Sequence, residues 1–158
     1  MKVFLDSNIF IEFSKNMPKA VMLVKELFKN LDVEIFINDV VYSEVSFIFI
    51  RVHSEKSYFE LKKNKKVVIK AGQAFLNKLF PMLKLVKFLE IKENIINLAN
   101  NYIVTYGLLP NDALILATCK HYGINYLISL DEDFRDACEK EKITFISSID
   151  TLKKNREI

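Results

Sequence analysis

Short runs of strand-forming apolar residues recur along this chain, and a stretch with helical spacing lies between each run and the next. Val3-Phe4-Leu5, Glu34-Ile35-Phe36-Ile37, Val86 through Ile91, Asn125 to Ser129 and Ile143 to Ile146 are the strand candidates. Between them, apolar residues three and four apart mark helices. One opens at Pro18 and carries Val21, Leu23, Val24, Leu27 and Phe28. Another follows Asn38 or Asp39 as cap and carries Val41, Val45, Ile48 and Phe49. A third runs through Ile95, Leu98, Ala99, Tyr102, Ile103 and Tyr106 to Gly107. A helix between two strands returns the chain to the edge where the first strand began, so such strands pair in parallel. The expected class is α/β, a three-layer α/β/α arrangement around a central parallel sheet of about five strands. Ligands of such sheets bind in the crevice beyond the strands' carboxyl ends.

With 158 residues, 51% of them hydrophobic, the chain suits one domain spanning 1–158. From Ser54 to Met82 a lysine-rich stretch leads into helical spacing and reads as a helical insertion around 54–82, which Pro81 is expected to end. The opening Met1 to Leu5 meets Asp6 at once, too early for a signal peptide, and the apolar run Val45 to Ile50 is too short to span a bilayer. Neither secretion nor a membrane is expected. Cys119 and Cys138 form no C-x-x-C pair, so a reduced, cytoplasmic setting is the expectation. A net charge of +3 suits a polyanionic partner without demanding one.

The acids carry the functional argument. Asp6 and Asp131 follow strand candidates directly, while Glu44 and Asp112 fall in the first turns of helices, the second of which Asn111 can cap. All four can meet at one edge of the sheet. Ionised carboxylates about 5 Å apart repel by about 3 kcal/mol per pair at an effective dielectric near 20, so a cation or a proton must relieve them. An oxygen-only ligand set selects a hard ion, and Mg²⁺ or Mn²⁺ on carboxylates is the apparatus of phosphodiester hydrolysis.

At these residues the chain resembles the PIN-domain family. Phe4-Leu5-Asp6-Ser7-Asn8-Ile9-Phe10 is similar to its first motif and Ser43-Glu44-Val45 to its second acidic position. Pro110-Asn111-Asp112-Ala113-Leu114-Ile115-Leu116-Ala117 looks like the third, and Leu127-Ile128-Ser129-Leu130-Asp131-Glu132-Asp133-Phe134 like the fourth. The resemblance implies a five-stranded parallel sheet between helices and a metal-dependent endoribonuclease, in many relatives the toxin half of a VapBC toxin–antitoxin pair. It implies Asp6, Glu44, Asp112 and Asp131 as ligands of Mg²⁺ or Mn²⁺, with Asn8 and Ser129 in support and Asp133 as a second candidate for the last acidic position. The implied partners are an RNA substrate, a VapB-like antitoxin and a second copy of the chain in a homodimer. The long Ser54–Met82 region departs from the family pattern.

Plainer readings stand beside these. A lone Asp after a strand is commonly a helix cap. His53 and His121 lack a partner at metal spacing, Cys119 lies on an apolar helix face, and Ser7 has no His beside it in sequence. Lysines from Lys62 to Lys70 suit either phosphate contact or a solvated face. Tyr42, Phe47, Phe49, Tyr58 and Phe59 suit base stacking, core packing or an oligomer interface. Two other functions fit less of the pattern: a PIN-like module that binds RNA or protein without cutting, and a phospho-receiver-like signalling domain, for which the first strand lacks an adjoining acidic pair.

Overall fold

The computed structural model describes residues 1–155. The chain opens with β1 (Lys2–Leu5), α1 (Ser7–Ser14), α2 (Pro18–Lys29) and β2 (Glu34–Asn38). Next come α3 (Asp39–Ser54), α4 (Tyr58–Lys63), α5 (Lys65–Lys78), α6 (Phe80–Leu83) and β3 (Lys87–Leu89). The second half contains α7 (Glu93–Tyr106), α8 (Pro110–His121), β4 (Tyr126–Ile128), a 3-10 turn (Glu132–Phe134), α9 (Arg135–Glu141), β5 (Thr144–Ile146) and α10 (Ile149–Lys154).

The five strands form one parallel sheet in the order β3-β2-β1-β4-β5. Val3 pairs with Ile35 on one side and Tyr126 on the other, which sets β1 at the centre. Burial follows position. Val3, Phe4 and Leu5 are all fully buried, as a strand covered on both faces requires, whereas Lys87 and Phe88 on the edge strand β3 stay exposed. The chain builds the sheet outward from β1 through β2 to β3, then crosses back to add β4 and β5 on the other side. Right-handed crossovers on either side of that reversal fall on opposite faces, and helices accordingly cover both. The reversal leaves a crevice between the carboxyl ends of β1 and β4.

Helix ends follow local chemistry. Asn38, not Asp39, caps α3, its carboxamide oxygen accepting the Val41 amide at 3.1 Å. Gly107 ends α7 at φ +69°, a left-handed cap that glycine adopts without strain. Pro81 corrects its expectation: α5 stops earlier, at Lys78, and Pro81 sits in the first turn of α6, where a missing N–H costs nothing. Among the described residues no helix is long and apolar enough to cross a membrane.

Candidate active site

Among the described residues the buried polar side chains are Asp6, Ser7, Asn38, Thr118 and Ser129. A polar group out of water must find partners, and these find one another at the carboxyl edge of the sheet. Asp6, 4% exposed, ends β1 and caps α1: its Oδ1 accepts the Ser7 amide at 2.6 Å and the Ser7 hydroxyl at 3.3 Å. Its Oδ2 accepts Asn8 Nδ2 at 2.7 Å and the Ser129 hydroxyl at 2.6 Å. Asn8 also donates to Ser129 Oγ at 2.9 Å and accepts the Leu130 amide at 3.1 Å. Ser129 Oγ in turn accepts the Asp131 amide at 3.0 Å. Asn8 and Ser129 therefore stitch the end of β1 to the end of β4 and fix the Asp6 carboxylate across the crevice.

Asp131 follows β4 and caps the 3-10 turn, accepting the Asp133 amide at 3.0 Å. Asp6 and Asp131 thus both serve as caps, the plainer role foreseen for a single Asp, while remaining in the acidic cluster. Glu44 lies in the second turn of α3 and Asp112 in the first turn of α8. The Asn38 carboxamide joins these two helices, donating to Thr118 Oγ1 at 2.9 Å while it caps α3.

Asn111 departs from its expected role. Leu109 holds the cap position of α8 and Pro110 fills its first turn, so the Asn111 side chain is not needed there. It reaches across instead and donates to Glu44 Oε1 at 2.7 Å. The only sequence sign of this was an amide beside Asp112, a position that suits a cap equally well.

Electrostatics show which acids share a space. Burial pushes the Asp112 carboxyl up to about 6, and the charges of Asp6, Asp131, Glu44 and Asp133, in that order, push the same way. Asp6 also rises to about 6, chiefly through burial and further through Glu44, although its hydrogen bonds from Ser129 and Ser7 oppose the rise. Asp6, Glu44, Asp131 and Asp133 therefore all lie within electrostatic reach of Asp112, and Glu44 within reach of Asp6. Among the described residues none of them is ion-paired to Lys or Arg. Nor, as they stand, do any three His, Cys, Asp or Glu side chains there draw close enough to hold an ion. The donor chemistry nonetheless fits a hard divalent cation: oxygen ligands only, excess negative charge, and a buried carboxylate already fixed by four donors. Beside them opens a groove of about 420 Å³ bordered by Tyr106, Leu109, Asp112, Asp133 and Arg135. A groove of that size admits part of a polymer.

Comparison with known proteins agrees with this architecture. The family model for the PIN domain matches residues 3–140. Ribonuclease VapC2 of Methanocaldococcus jannaschii is 35% identical over 134 residues, covering 85% of this chain and 87% of its own. Ribonuclease VapC6 of the same organism is 33% identical over 153 residues, covering 93% and 95%. The structure of VapBC-1 from nontypeable Haemophilus influenzae superposes with a TM-score of 0.61 at 16% identity, covering 92% of this chain and 96% of that one, a likeness of fold. With the family model spanning four of the five strands and all four acidic positions, this chain belongs to the PIN-domain family.

Proposed function

We propose that this protein is an endoribonuclease dependent on Mg²⁺ or Mn²⁺. The observation that carries the reading is the group of acids at the β1–β4 crevice, among which Asp6 and Asp112 are raised in pKa by burial and by their acidic neighbours and, among the described residues, none has an ion pair to Lys or Arg. Asp6, Glu44, Asp112 and Asp131 are the residues that would hold the ion, and Asp133 stands beside them. When bound, the ion supplies Lewis-acid activation of water and neutralises charge on the phosphate.

The chain's own contribution is orientation. Asn8 and Ser129 hold Asp6 in one rotamer, Asn111 aims Glu44, and Asn38 fixes the angle between the helices that carry Glu44 and Asp112. These tethers are in place before an ion arrives, which keeps the reorganisation cost low. Arg135, on the border of the groove and paired to Glu132 at 2.6 Å, is placed to meet a phosphate there.

The relatives' names, ribonucleases of the VapC type, support an RNA substrate and a role as the toxin of a VapBC pair with a VapB-like antitoxin; a homodimer belongs to the same proposal. Both free cysteines, Cys119 and Cys138, are buried, in keeping with a cytoplasmic location. The test is cleavage of total RNA in Mn²⁺ or Mg²⁺, expected to stop in EDTA and in Asp6→Asn. Cleavage that continues in both would end the reading. Binding of RNA without cleavage, together with no thermal stabilisation by Mn²⁺, would return the non-cutting module in its place.

A further inference from the structure

The segment from Arg51 to Lys78 holds eight lysines and arginines against two glutamates, a net +6 in a chain whose total is +3, so the remainder carries −3. Lys62, Lys63, Lys65, Lys66 and Lys70 are all exposed, and among the described residues none is paired to a carboxylate. Aromatic rings stand among these charges. Phe59 is 72% exposed, Tyr58 46% and Phe47 39%. Phe47 meets Tyr58 edge-on with centroids 6.0 Å apart, Tyr58 meets Phe59 at 5.5 Å, and Lys62 Nζ lies 5.0 Å over the Tyr58 ring.

The patch connects to the acids through one helix. Glu44, Phe47 and Arg51 are three and seven residues apart on α3 and so share a face. From Glu44 to Ser54 the helix advances about 15 Å at 1.5 Å per residue, roughly four nucleotides of a stacked strand at 3.4 Å each. Lysines without a carboxylate partner beside exposed aromatic residues are the combination that holds single-stranded nucleic acid, cations on the backbone and rings under the bases. Had this been an ordinary solvated face, carboxylates would be interspersed and aromatics rare.

We propose that the outer face of α3 with α4 and the start of α5 is a docking track for single-stranded RNA, with Phe47, Tyr58 and Phe59 stacking bases and Arg51, Lys62 and Lys65 with their neighbours contacting phosphates. The proposal rests on the reading of the acidic cluster as a site acting on RNA, and it assigns where the strand lies outside that site.

Binding is measured in EDTA by fluorescence anisotropy with a labelled oligouridylate of about a dozen nucleotides, across a salt series. A variant with Lys62, Lys63, Lys65 and Lys66 all changed to Gln should lower the slope of log affinity against log salt by about 0.7 for each phosphate no longer neutralised, nearly 3 for four. Phe59→Ala should weaken binding about 5- to 150-fold. Changing the same lysines to Arg should restore the slope, which a merely structural role would not require. In cleavage assays the Gln variant should raise KM and leave kcat unchanged.

An unaltered slope and affinity in both variants would overturn the proposal. So would loss of binding to phosphatidylserine vesicles without loss of RNA binding, which marks a membrane surface. A dimer that Phe59→Ala dissociates at constant RNA affinity would overturn it too, marking an interface between copies. If no RNA is ever cut but binding depends on the patch, the nuclease reading fails and the track stands; if cutting proceeds with unchanged KM, the reverse holds.

Discussion

Asp6 shows how one carboxylate can cap a helix and still stand in the proposed site. Its four donors would favour an ionised side chain, yet burial outweighs them and leaves the group near 6, above the ordinary value of 3.8. Between those two pH values the folded chain binds more protons than the unfolded one, so stability falls as pH rises through that window. At about 1.36 kcal/mol per unit the effect of Asp6 is about 3 kcal/mol, and Asp112 contributes with the same sign. Metal-free protein should therefore melt at a higher temperature near about pH 5 than near about pH 7.5, with a smaller gap in Asp6→Asn. A gap of the opposite sign would mean that Asp6 is ionised in the fold at no cost. Glu44 depends on a neighbour in a different way. Removing the Asn111 amide leaves Glu44 free to rotate, and loss of such an orienting partner typically weakens metal affinity about 10- to 100-fold. Calorimetric titration of Asn111→Ala with Mn²⁺ should show that drop without a change in melting temperature of the metal-free chain; equal affinity in the two proteins would leave Asn111 without a role in aiming Glu44.

At the scale of elements, the junction of β2, α3 and α8 decides where Glu44 points. Asn38 is fully buried and makes two bonds in opposite directions, to the Val41 amide and to the Thr118 hydroxyl, whose own proton goes to the Leu114 carbonyl at 2.6 Å. Replacing it with Ala removes a helix cap and the bond that the buried Thr118 hydroxyl accepts, together about 1–3 kcal/mol. Urea denaturation of Asn38→Ala should show that loss, and cleavage should fall further than unfolding at the assay temperature explains, because α3 loses its buried tie to α8 and keeps only the exposed Glu44–Asn111 bond. Thr118→Val keeps the cap and breaks the cross-helix bond together with the hydroxyl's bond to the Leu114 carbonyl, so it separates the cap from the Thr118 contacts. A Thr118→Val protein with full activity would show that the cap alone sets the angle.

For the molecule as a whole, the reversal in strand order is the organising fact. In a sheet ordered β3-β2-β1-β4-β5 it opens a crevice where the chain leaves β1 and β4 toward opposite sides, and Asp6 and Asp131 flank it. Acids crowded there without a cation destabilise the fold, so an ion that binds only the folded state should stabilise it strongly: about 2.7 kcal/mol at a free concentration 100 times Kd. Thermal melts with and without Mn²⁺ should show the shift in the native chain and not in Asp6→Asn. An equal shift in both would place the ion elsewhere. The same view of the whole molecule separates a segment of net +6 from a remainder of −3, so substrate should be drawn to one side and repelled by the other until it reaches the crevice.

Strand and helix identities, their alternation, and hence the parallel sheet were readable from residues alone, because periodicity and cap chemistry act over a few neighbours. Val3-Phe4-Leu5 had to be buried on both faces, Pro18 had to open a helix and Gly107 had to close one. The acids at strand and helix starts could likewise be picked out, since their positions at element ends follow from the same local signals. What only the tertiary structure decided were the pairings across the chain: Asn8 and Ser129, separated by 121 residues, closing on Asp6, and Asn111 reaching Glu44 across 67 residues in place of capping its own helix. A local signal cannot distinguish an amide that caps from one that bridges, because the choice depends on which distant group the folded sheet brings within hydrogen-bonding reach.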